Sequence, residues 1–188
     1  LIKSFDSEKV YKFLHIPVQS GSNRVLHDMK RGHTVETFRD IVGKVKKRFL
    51  NFTISTDVIV GFPSETKEDF EKTVDLISET HPDIVNLSKY SARPGTEAAR
   101  WNQIEAVEVK RRSKIIFDLI NKISLENNQK WIGWKGNVLF DEETNEGIKG
   151  RNYAYKSVFV REDIKMGQTH IVEIVDASIH SIIGKIAS

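Results

Sequence analysis

Short apolar runs rich in β-branched residues alternate with amphipathic segments along the first two thirds of the chain. The runs predict buried strands at Phe13–Val18, Phe52–Val60 and Ile84–Tyr90. The amphipathic segments have apolar residues three or four positions apart and predict helices over residues 23–31, after Thr34, after Thr66 and over Glu105–Gln129. Strands that alternate with helices in this order are typical of an α/β fold with a parallel sheet and right-handed crossovers.

The pattern changes after Gln129. Short segments of alternating apolar and polar residues follow, separated by charged or glycine-containing turns, of which the longest spans residues 141–147. The segments are Lys135–Phe140, Ala154–Val160, His170–Ala177 and Ser181–Ile186. Several short strands at this spacing predict a small all-β barrel. We therefore predict two domains, over residues 1–129 and residues 130–188.

Composition narrows the class of protein. The 188 residues include 39% hydrophobic and 29% charged side chains, which is typical of a folded chain long enough to bury a core. No apolar run of about 20 residues and no signal peptide is present, so we expect a cytoplasmic protein without a membrane segment. The absence of cysteine excludes disulfides, cysteine nucleophiles and thiolate-held iron–sulfur clusters within this chain. The net charge of +3 permits nucleic-acid binding without arguing for it.

Polar residues stand near the predicted carboxyl ends of the strands, where α/β proteins bind ligands. Gln19 follows the first strand, Asp57 lies within the otherwise apolar second strand, and Arg31 ends the first helical segment. Asp57 needs a partner or a polar cleft, because burying a lone carboxylate is costly. Each residue also has a structural interpretation: a salt bridge for Asp57, a loop-closing side chain for Gln19 and a surface charge for Arg31. Together they suit a ligand with hydroxyls and a carboxylate.

Other signals of catalysis or metal binding are weak. The six histidines show no HxxxH or HxH spacing, and His15 in the first strand is expected to be a satisfied core histidine. Neither a Walker loop nor a nucleophile elbow is present. The residues alone therefore predict an α/β ligand-binding layer followed by a small β-barrel, and no more specific function.

A longer set of motifs resembles the radical SAM methylthiotransferases, the MiaB-type family. The motifs are His15–Leu26 (HIPVQSGSNRVL), Met29–Arg31 (MKR), Thr56–Pro63 (TDVIVGFP), Glu65–Thr66, Glu68–Phe70 (EDF), Arg93–Thr96 (RPGT) and Ile123–Gln129 (ISLENNQ). The resemblance implies that the three strands are strands four to six of a radical SAM partial TIM-like barrel. It also implies that residues 130–188 are a TRAM domain, a small OB-like barrel that binds RNA.

The segment Asn86–Ala99 is most similar to the archaeal and eukaryotic branch of that family. Members of this branch convert N6-threonylcarbamoyladenosine, next to the tRNA anticodon, to its 2-methylthio derivative, so the resemblance implies tRNA as a partner. Relatives act on isopentenyladenosine in tRNA or on an aspartate of a ribosomal protein. A ribosomal-protein methylthiotransferase and a non-catalytic RNA-binding module are therefore alternatives.

The reaction implied by the resemblance uses S-adenosylmethionine and two 4Fe-4S clusters, one of which binds S-adenosylmethionine through a CxxxCxxC loop. This chain has no cysteine, so it is not expected to bind the clusters or to carry a catalytic residue. We expect the C-terminal portion of such an enzyme, which needs the missing N-terminal portion of the same protein as its partner and is inactive alone.

The resemblance also assigns roles to residues of the predicted cleft. Gln19 and Asp57 are expected to contact the ribose hydroxyls of S-adenosylmethionine, and Arg31 its methionyl carboxylate. The remaining expected contacts are Ile59 near the adenine, and Tyr90 and Arg93 near the substrate.

Residues 130–188 carry as many acidic as basic side chains, so RNA binding there needs a local patch. The segment 147–156 interleaves basic residues, which pair with phosphates, and aromatic residues, which stack on bases. We predict an RNA-binding patch formed by Lys149, Arg151, Tyr153 and Lys156. The alternative is a solvated hairpin with one buried tyrosine.

Overall fold

The computed structural model describes residues 2–187 of the chain. These residues divide into two compact units. The first comprises residues 14–49 and 54–121, and the second comprises the remaining described residues. The division falls inside the last and longest helix, between Asn121 and Lys122. The domain boundary between residues 129 and 130 stays a prediction.

The first unit is built on a three-stranded sheet with helices between the strands. The strands and helices in chain order are β1 (Phe13–His15), α1 (Asn23–Asp28), α2 (Val35–Arg48), β2 (Thr53–Val60), α3 (Lys67–Thr80), β3 (Ile84–Lys89) and α4 (Ala106–Gln129). The sheet order is β1-β2-β3, and β2 pairs with β3 in parallel. A parallel pair needs a long crossover, which α3 supplies. The predicted α/β fold with a parallel sheet is confirmed.

β1 is shorter than the predicted strand Phe13–Val18. It ends at His15, before Pro17, which has no N–H to donate to a ladder. Pairing with β2 resumes at Gln19, which forms an isolated parallel bridge with Val58. Gln19 adopts a positive φ of 71°, so the chain turns away from the sheet directly after this bridge. The turn brings the Gln19 side chain to the end of the sheet.

The predicted helix starts are confirmed by their caps. The Thr34 hydroxyl accepts a hydrogen bond from the Thr37 amide at the start of α2. Thr66 and Asp69 form a reciprocal capping box at the start of α3, each side chain accepting from the other residue's amide. His81 ends α3 in a left-handed conformation with a φ of 42°. These local signals set the ends of the helices that flank the sheet.

The buried face of α2 follows its predicted apolar stripe. Val35, Phe38, Val42 and Val45 are each at most 3% exposed. Burying one such side chain stabilises the fold by roughly 1.5–3 kcal/mol. The basic residues at the end of α2 complement the negative end of the helix dipole.

The second unit contains a closed five-stranded barrel, in the order β4-β5-β6-β8-β7. The strands are β4 (Lys135–Thr144), β5 (Gly147–Arg151), β6 (Ser157–Val160), β7 (Thr169–Ala177) and β8 (Ile182–Ile186). Closure removes free strand edges, which open sheets must protect. The barrel core consists of Trp131, Val138, Phe140, Ile148, Ala154, Val158, Val160, Ile164, Val172, Ile174 and Ile182. The predicted small all-β barrel is confirmed.

The prediction missed β5 and placed a turn over residues 141–147. In the structure β4 continues to Thr144, and the turn is only Asn145–Glu146. The charged residues that suggested a turn lie on an exposed part of the strand, where Glu142 pairs with Lys149 of β5 over 2.8 Å. Charged side chains are compatible with a strand whose face meets water.

Within residues 2–187, every helix is too short or too polar to cross a bilayer.

Candidate functional site

A cleft of about 850 Å³ opens at the carboxyl ends of the strands of the first unit. The lining residues include all those predicted from the first domain, namely Gln19, Arg31, Asp57, Ile59, Tyr90 and Arg93. They come from the segments after β1 and α1, from β2, and from the segment after β3. The structure therefore brings the predicted residues to one place, and their contacts with a ligand stay predictions.

Asp57 is held by neighbours from the other two strands. Its Oδ1 accepts a hydrogen bond from Asn86 Nδ2 at 2.9 Å, and its Oδ2 lies 3.3 Å from His15 Nε2. Gln19 Nε2 lies 3.5 Å from the same Oδ2. The structural interpretation of Asp57 predicts a salt bridge to Lys or Arg. In the structure Asp57 pairs with His15 instead. The carboxylate faces the cleft with 32% of its side chain exposed.

The expectation that His15 is a satisfied core histidine is wrong. Its side chain is 39% exposed, and its ring joins Asp57 through Nε2 and the Ser55 hydroxyl through Nδ1, at 2.9 Å. Successive side chains of a strand point to opposite faces of a sheet. His15 on β1 points to the same face as Asp57 on β2, and this face is open. The periodicity of a three-residue strand is too short to reveal that face.

Arg31 reaches the cleft through the C-terminal turn of α1. Lys30 adopts a left-handed φ of 58°, and the amides of Lys30 and Arg31 donate to the carbonyls of His27 and Leu26 at 2.8 and 2.9 Å. This pattern is a Schellman motif, which satisfies the last carbonyls of a helix. Within the described residues, no carboxylate pairs with the Arg31 guanidinium, so its charge is available to a ligand.

Arg93 begins a tight turn that directs it at the cleft. The Thr96 amide donates to the Arg93 carbonyl at 3.2 Å, and the Thr96 hydroxyl donates to it at 2.8 Å. Pro94 and Gly95 occupy the central positions, and Gly95 has the φ of 83° that a type II turn needs there. Across the part of the chain that the structure covers, the Arg93 guanidinium has no ion-pair partner.

An aromatic group forms part of the cleft wall. The Phe62 ring packs edge-on against Tyr90 at 5.2 Å and against Trp101 at 5.8 Å between ring centroids. The Tyr90 hydroxyl is buried and has no hydrogen-bond partner among the described residues. Sequence reasoning missed Phe62, Trp101 and Asn86; the alternation of polar residues along β3 was the available signal for Asn86.

A buried carboxylate holds the loop after β1 against α3. Asp69 Oδ1 accepts from the Ser22 hydroxyl at 2.6 Å, and Oδ2 accepts from Arg24 and from the Thr66 amide and hydroxyl. Burial by itself would raise the pKa of Asp69. The hydrogen bonds from Ser22, Arg24 and Thr66 outweigh it and hold that pKa well below the usual range.

The predicted RNA-binding residues have unequal surroundings. Lys149 pairs with Glu142 and is partly exposed. The Arg151 guanidinium lies 5.1 Å from the Tyr155 ring centroid, and its Nε is 3.9 Å from Asp141. Both cations therefore lie beside acidic residues that partly neutralise them.

Tyr153 and Lys156 differ sharply in exposure. Tyr153 is 41% exposed and packs beside Trp131 and Trp134. Burial of its hydroxyl raises the pKa of Tyr153, and a hydrogen bond with Asn51 offsets the rise in part. Lys156 is only 6% exposed and donates from Nζ to Asn128 Oδ1 at 3.0 Å. This buried position does not suit a phosphate contact, which counts against the predicted RNA-binding role of Lys156.

Metal ligands are not assembled in the described part of the chain. No group of three or more His, Asp or Glu side chains there could hold a metal ion, and the sequence has no cysteine. The cleft presents cationic side chains, including Arg31 and Arg93, and carboxylates, including Asp57, beside amides and aromatic rings.

The structure is that of an α/β protein with a candidate ligand cleft at the carboxyl ends of its parallel sheet, followed by a closed β-barrel. Residues 2–77 match the model of the radical SAM superfamily. The chain is 48% identical over 192 residues to a protein of Archaeoglobus fulgidus named "Probable threonylcarbamoyladenosine tRNA methylthiotransferase", covering 100% of the chain and 44% of that protein.

Two further relatives extend the comparison. A Pyrococcus abyssi protein with the same name is 43% identical over 189 residues, covering 100% of the chain and 44% of that protein. A protein of Pelotomaculum thermopropionicum named "tRNA-2-methylthio-N(6)-dimethylallyladenosine synthase" is 42% identical over 161 residues, covering 84% of the chain and 36% of that protein. The chain is therefore similar over its whole length to proteins named as tRNA methylthiotransferases, and over part of it to the radical SAM superfamily.

The chain spans less than half the length of these relatives. Radical SAM enzymes use S-adenosylmethionine and a cluster held by cysteine thiolates. This chain has no cysteine and so supplies no thiolate for such a cluster.

Proposed function

We propose that this chain is the C-terminal part of a cytoplasmic radical SAM tRNA methylthiotransferase. The enzyme would convert N6-threonylcarbamoyladenosine beside the anticodon to its 2-methylthio derivative. The observation that carries the proposal is the cleft, which brings Gln19, Arg31 and Asp57 together at one end of the sheet. The names of the archaeal relatives support the choice of nucleoside. The sheet would provide strands four to six of a partial barrel.

The side chains of the cleft fit S-adenosylmethionine. Asp57 is an acceptor for ribose hydroxyls, Arg31 is a bidentate partner for the methionyl carboxylate, and Ile59 offers apolar surface to the adenine. The buried Tyr90 hydroxyl has no partner within the described residues, so a ligand in the cleft would satisfy it. A volume of about 850 Å³ is typical of a small-molecule site.

The chain does not fit an iron–sulfur cluster, because it contains no cysteine. The two clusters would be held by the N-terminal part of the longer protein and would supply, with S-adenosylmethionine, the radical chemistry at adenine C2. The residues of this chain bind and orient: Arg31 and Asp57 hold the cofactor, and Tyr90 and Arg93 face the substrate. Alone, the chain is expected to be inactive. A four-iron EPR signal with cleavage of S-adenosylmethionine after reconstitution would overturn this expectation.

The barrel is proposed to bind tRNA through the partly exposed Lys149 and Arg151 and the exposed Tyr153, since basic side chains pair with phosphates and aromatic side chains stack on bases. We expect Arg151→Glu to weaken tRNA binding and to reduce its dependence on salt. Lys185→Glu on β8 makes the same charge change at another strand and serves as the control. Equal effects of the two variants would show a non-specific charge effect.

The experiment that tests the activity is mass spectrometry of tRNA nucleosides from a strain lacking the full-length gene, complemented with variants. We expect loss of the 2-methylthio nucleoside in the deletion strain. Asp57→Ala and Arg31→Ala should fail to restore it and should lower the affinity for S-adenosylmethionine. Arg39→Ala, a surface change at a Glu79 pair, should restore it. Unchanged tRNA together with a lost ribosomal-protein modification would overturn the proposal in favour of a protein substrate.

A further inference from the structure

The carboxylate of Asp57 is engaged at both oxygens before any ligand binds. Asn86 on β3 lies directly opposite Asp57 in the strand register and donates to Oδ1 at 2.9 Å. On the other side, His15 of β1 reaches Oδ2 at 3.3 Å. The carboxylate is therefore held between its two neighbouring strands, and its rotation about the Cβ–Cγ bond is defined.

The ring of His15 is itself oriented. Its Nδ1 lies 2.9 Å from the Ser55 hydroxyl, two residues before Asp57 on β2. The Ser55 contact at Nδ1 directs the opposite ring nitrogen, Nε2, towards Asp57. An N–H on Nε2 donates to the carboxylate, so the contact with Ser55 orients the ring for this hydrogen bond.

Asp57 keeps acceptor capacity in the direction of the cleft. A carboxylate has about four lone-pair sites, and the contacts from Asn86 and His15 leave some of them open. The side chain is 32% exposed and lines the cleft. The backbone ladder between β2 and β3 already supplies the strand pairing, so these side-chain bonds are not needed to form the sheet.

We propose that Asn86 and His15 are positioning residues, which fix the Asp57 carboxylate so that its open lone pairs meet the two ribose hydroxyls of the adenosyl ligand. This inference rests on the proposed function of the cleft. A carboxylate held in one orientation accepts from both hydroxyls of a cis-diol without first losing rotational freedom, and such preorganisation increases affinity.

The test is a cycle of variants and ligands on the full-length holoenzyme. Calorimetry measures the affinity for S-adenosylhomocysteine and for its 2′-deoxyribose analogue. In the wild type we expect the missing hydroxyl to weaken binding about tenfold. Asn86→Ala should weaken S-adenosylhomocysteine binding by a similar factor, and the missing hydroxyl should then cost only about twofold, because the contact that Asn86 supports is already impaired.

Further variants keep the test decisive. Asn86→Leu has a similar shape without the donor and should behave like Asn86→Ala. His15→Ala should reduce the ligand discrimination, and His15→Gln, which retains a donor, should restore part of it. Asn145→Ala, the same substitution in the exposed turn between β4 and β5, should leave both affinities unchanged. Thermal unfolding is measured for each variant to check that it is folded.

The outcomes separate the two proposals. If the wild type binds neither ligand, or binds both equally, the proposed function of the cleft fails. If the wild type discriminates but Asn86→Ala weakens both ligands by the same factor or weakens neither, only the positioning role is overturned.

Discussion

Arg112 donates from Nη1 to Oε2 of Glu65 at 2.7 Å, and both side chains are almost fully buried. The same Glu65 oxygen accepts from the Gly61 amide at 3.0 Å, so the pair joins α4 to the loop that follows β2. Burial raises the pKa of Glu65, and the bonds from Gly61 and Arg112 offset the rise only in part. The loop carries Phe62, so this pair supports the wall of the cleft.

Breaking this buried pair should be costly. We expect Arg112→Leu to lower the free energy of unfolding by about 3–5 kcal/mol, because the Glu65 carboxylate is left buried without its partner. The measurement is urea denaturation followed by circular dichroism. Arg111→Leu removes an exposed neighbour on the same helix and should have little effect. Equal losses for the two variants would contradict a special role of the buried pair.

Gly21 should not tolerate a side chain. A Cβ there would lie 2.3 Å from the Lys72 carbonyl oxygen and 2.5 Å from Thr73 Cα, so the loop after β1 would have to move away from α3. We expect Gly21→Ala to destabilise the protein by about 1–3 kcal/mol. Gly43→Ala, in open space within α2, should instead stabilise it by about 0.5–1 kcal/mol. Thermal and urea unfolding of both variants measure the difference in sign.

Asp69 should make stability depend on acid pH. Because its pKa is lower in the folded state than in the unfolded state, its stabilisation is present above the usual aspartate pKa of about 4 and is lost as the pH falls below it. Asp69→Asn should therefore be less stable than the wild type at about pH 7, and the gap should narrow towards about pH 3. Urea unfolding at several pH values tests this, and a constant gap would contradict the assignment.

Lys156 should matter for stability rather than for RNA. Its ammonium is buried against Asn128, whose amide also donates to the Ser178 carbonyl at 2.8 Å. We expect Lys156→Gln to lower the free energy of unfolding by about 1–3 kcal/mol. At a temperature where the variant is folded, its tRNA affinity in a filter-binding assay should match the wild type. A loss as large as that of Arg151→Glu would return Lys156 to the RNA-binding patch.

Much of the fold could be predicted because its signals are local. The Thr34 cap, the Thr66–Asp69 capping box and the apolar stripe of α2 each depend on residues within a turn or two of one another. The missed strand β5 had no such signal. The hairpin of β4 and β5 contains charged residues at the end of β4. These residues lie on an exposed part of a strand only because the barrel closes around the apolar face.

The amino-acid sequence was enough to predict the order of strands and helices, the polar residue types at the strand ends, the absence of thiolates and, through its motifs, the family that the chain resembles. Which side chains meet depended on how the strands and helices pack. Asn86 lies opposite Asp57 although 29 residues separate them, because packing of β3 on β2 sets the strand register. In the same way, the burial of Lys156 and the exposure of His15 depend on which faces the assembled sheets cover, and no local periodicity contains that information.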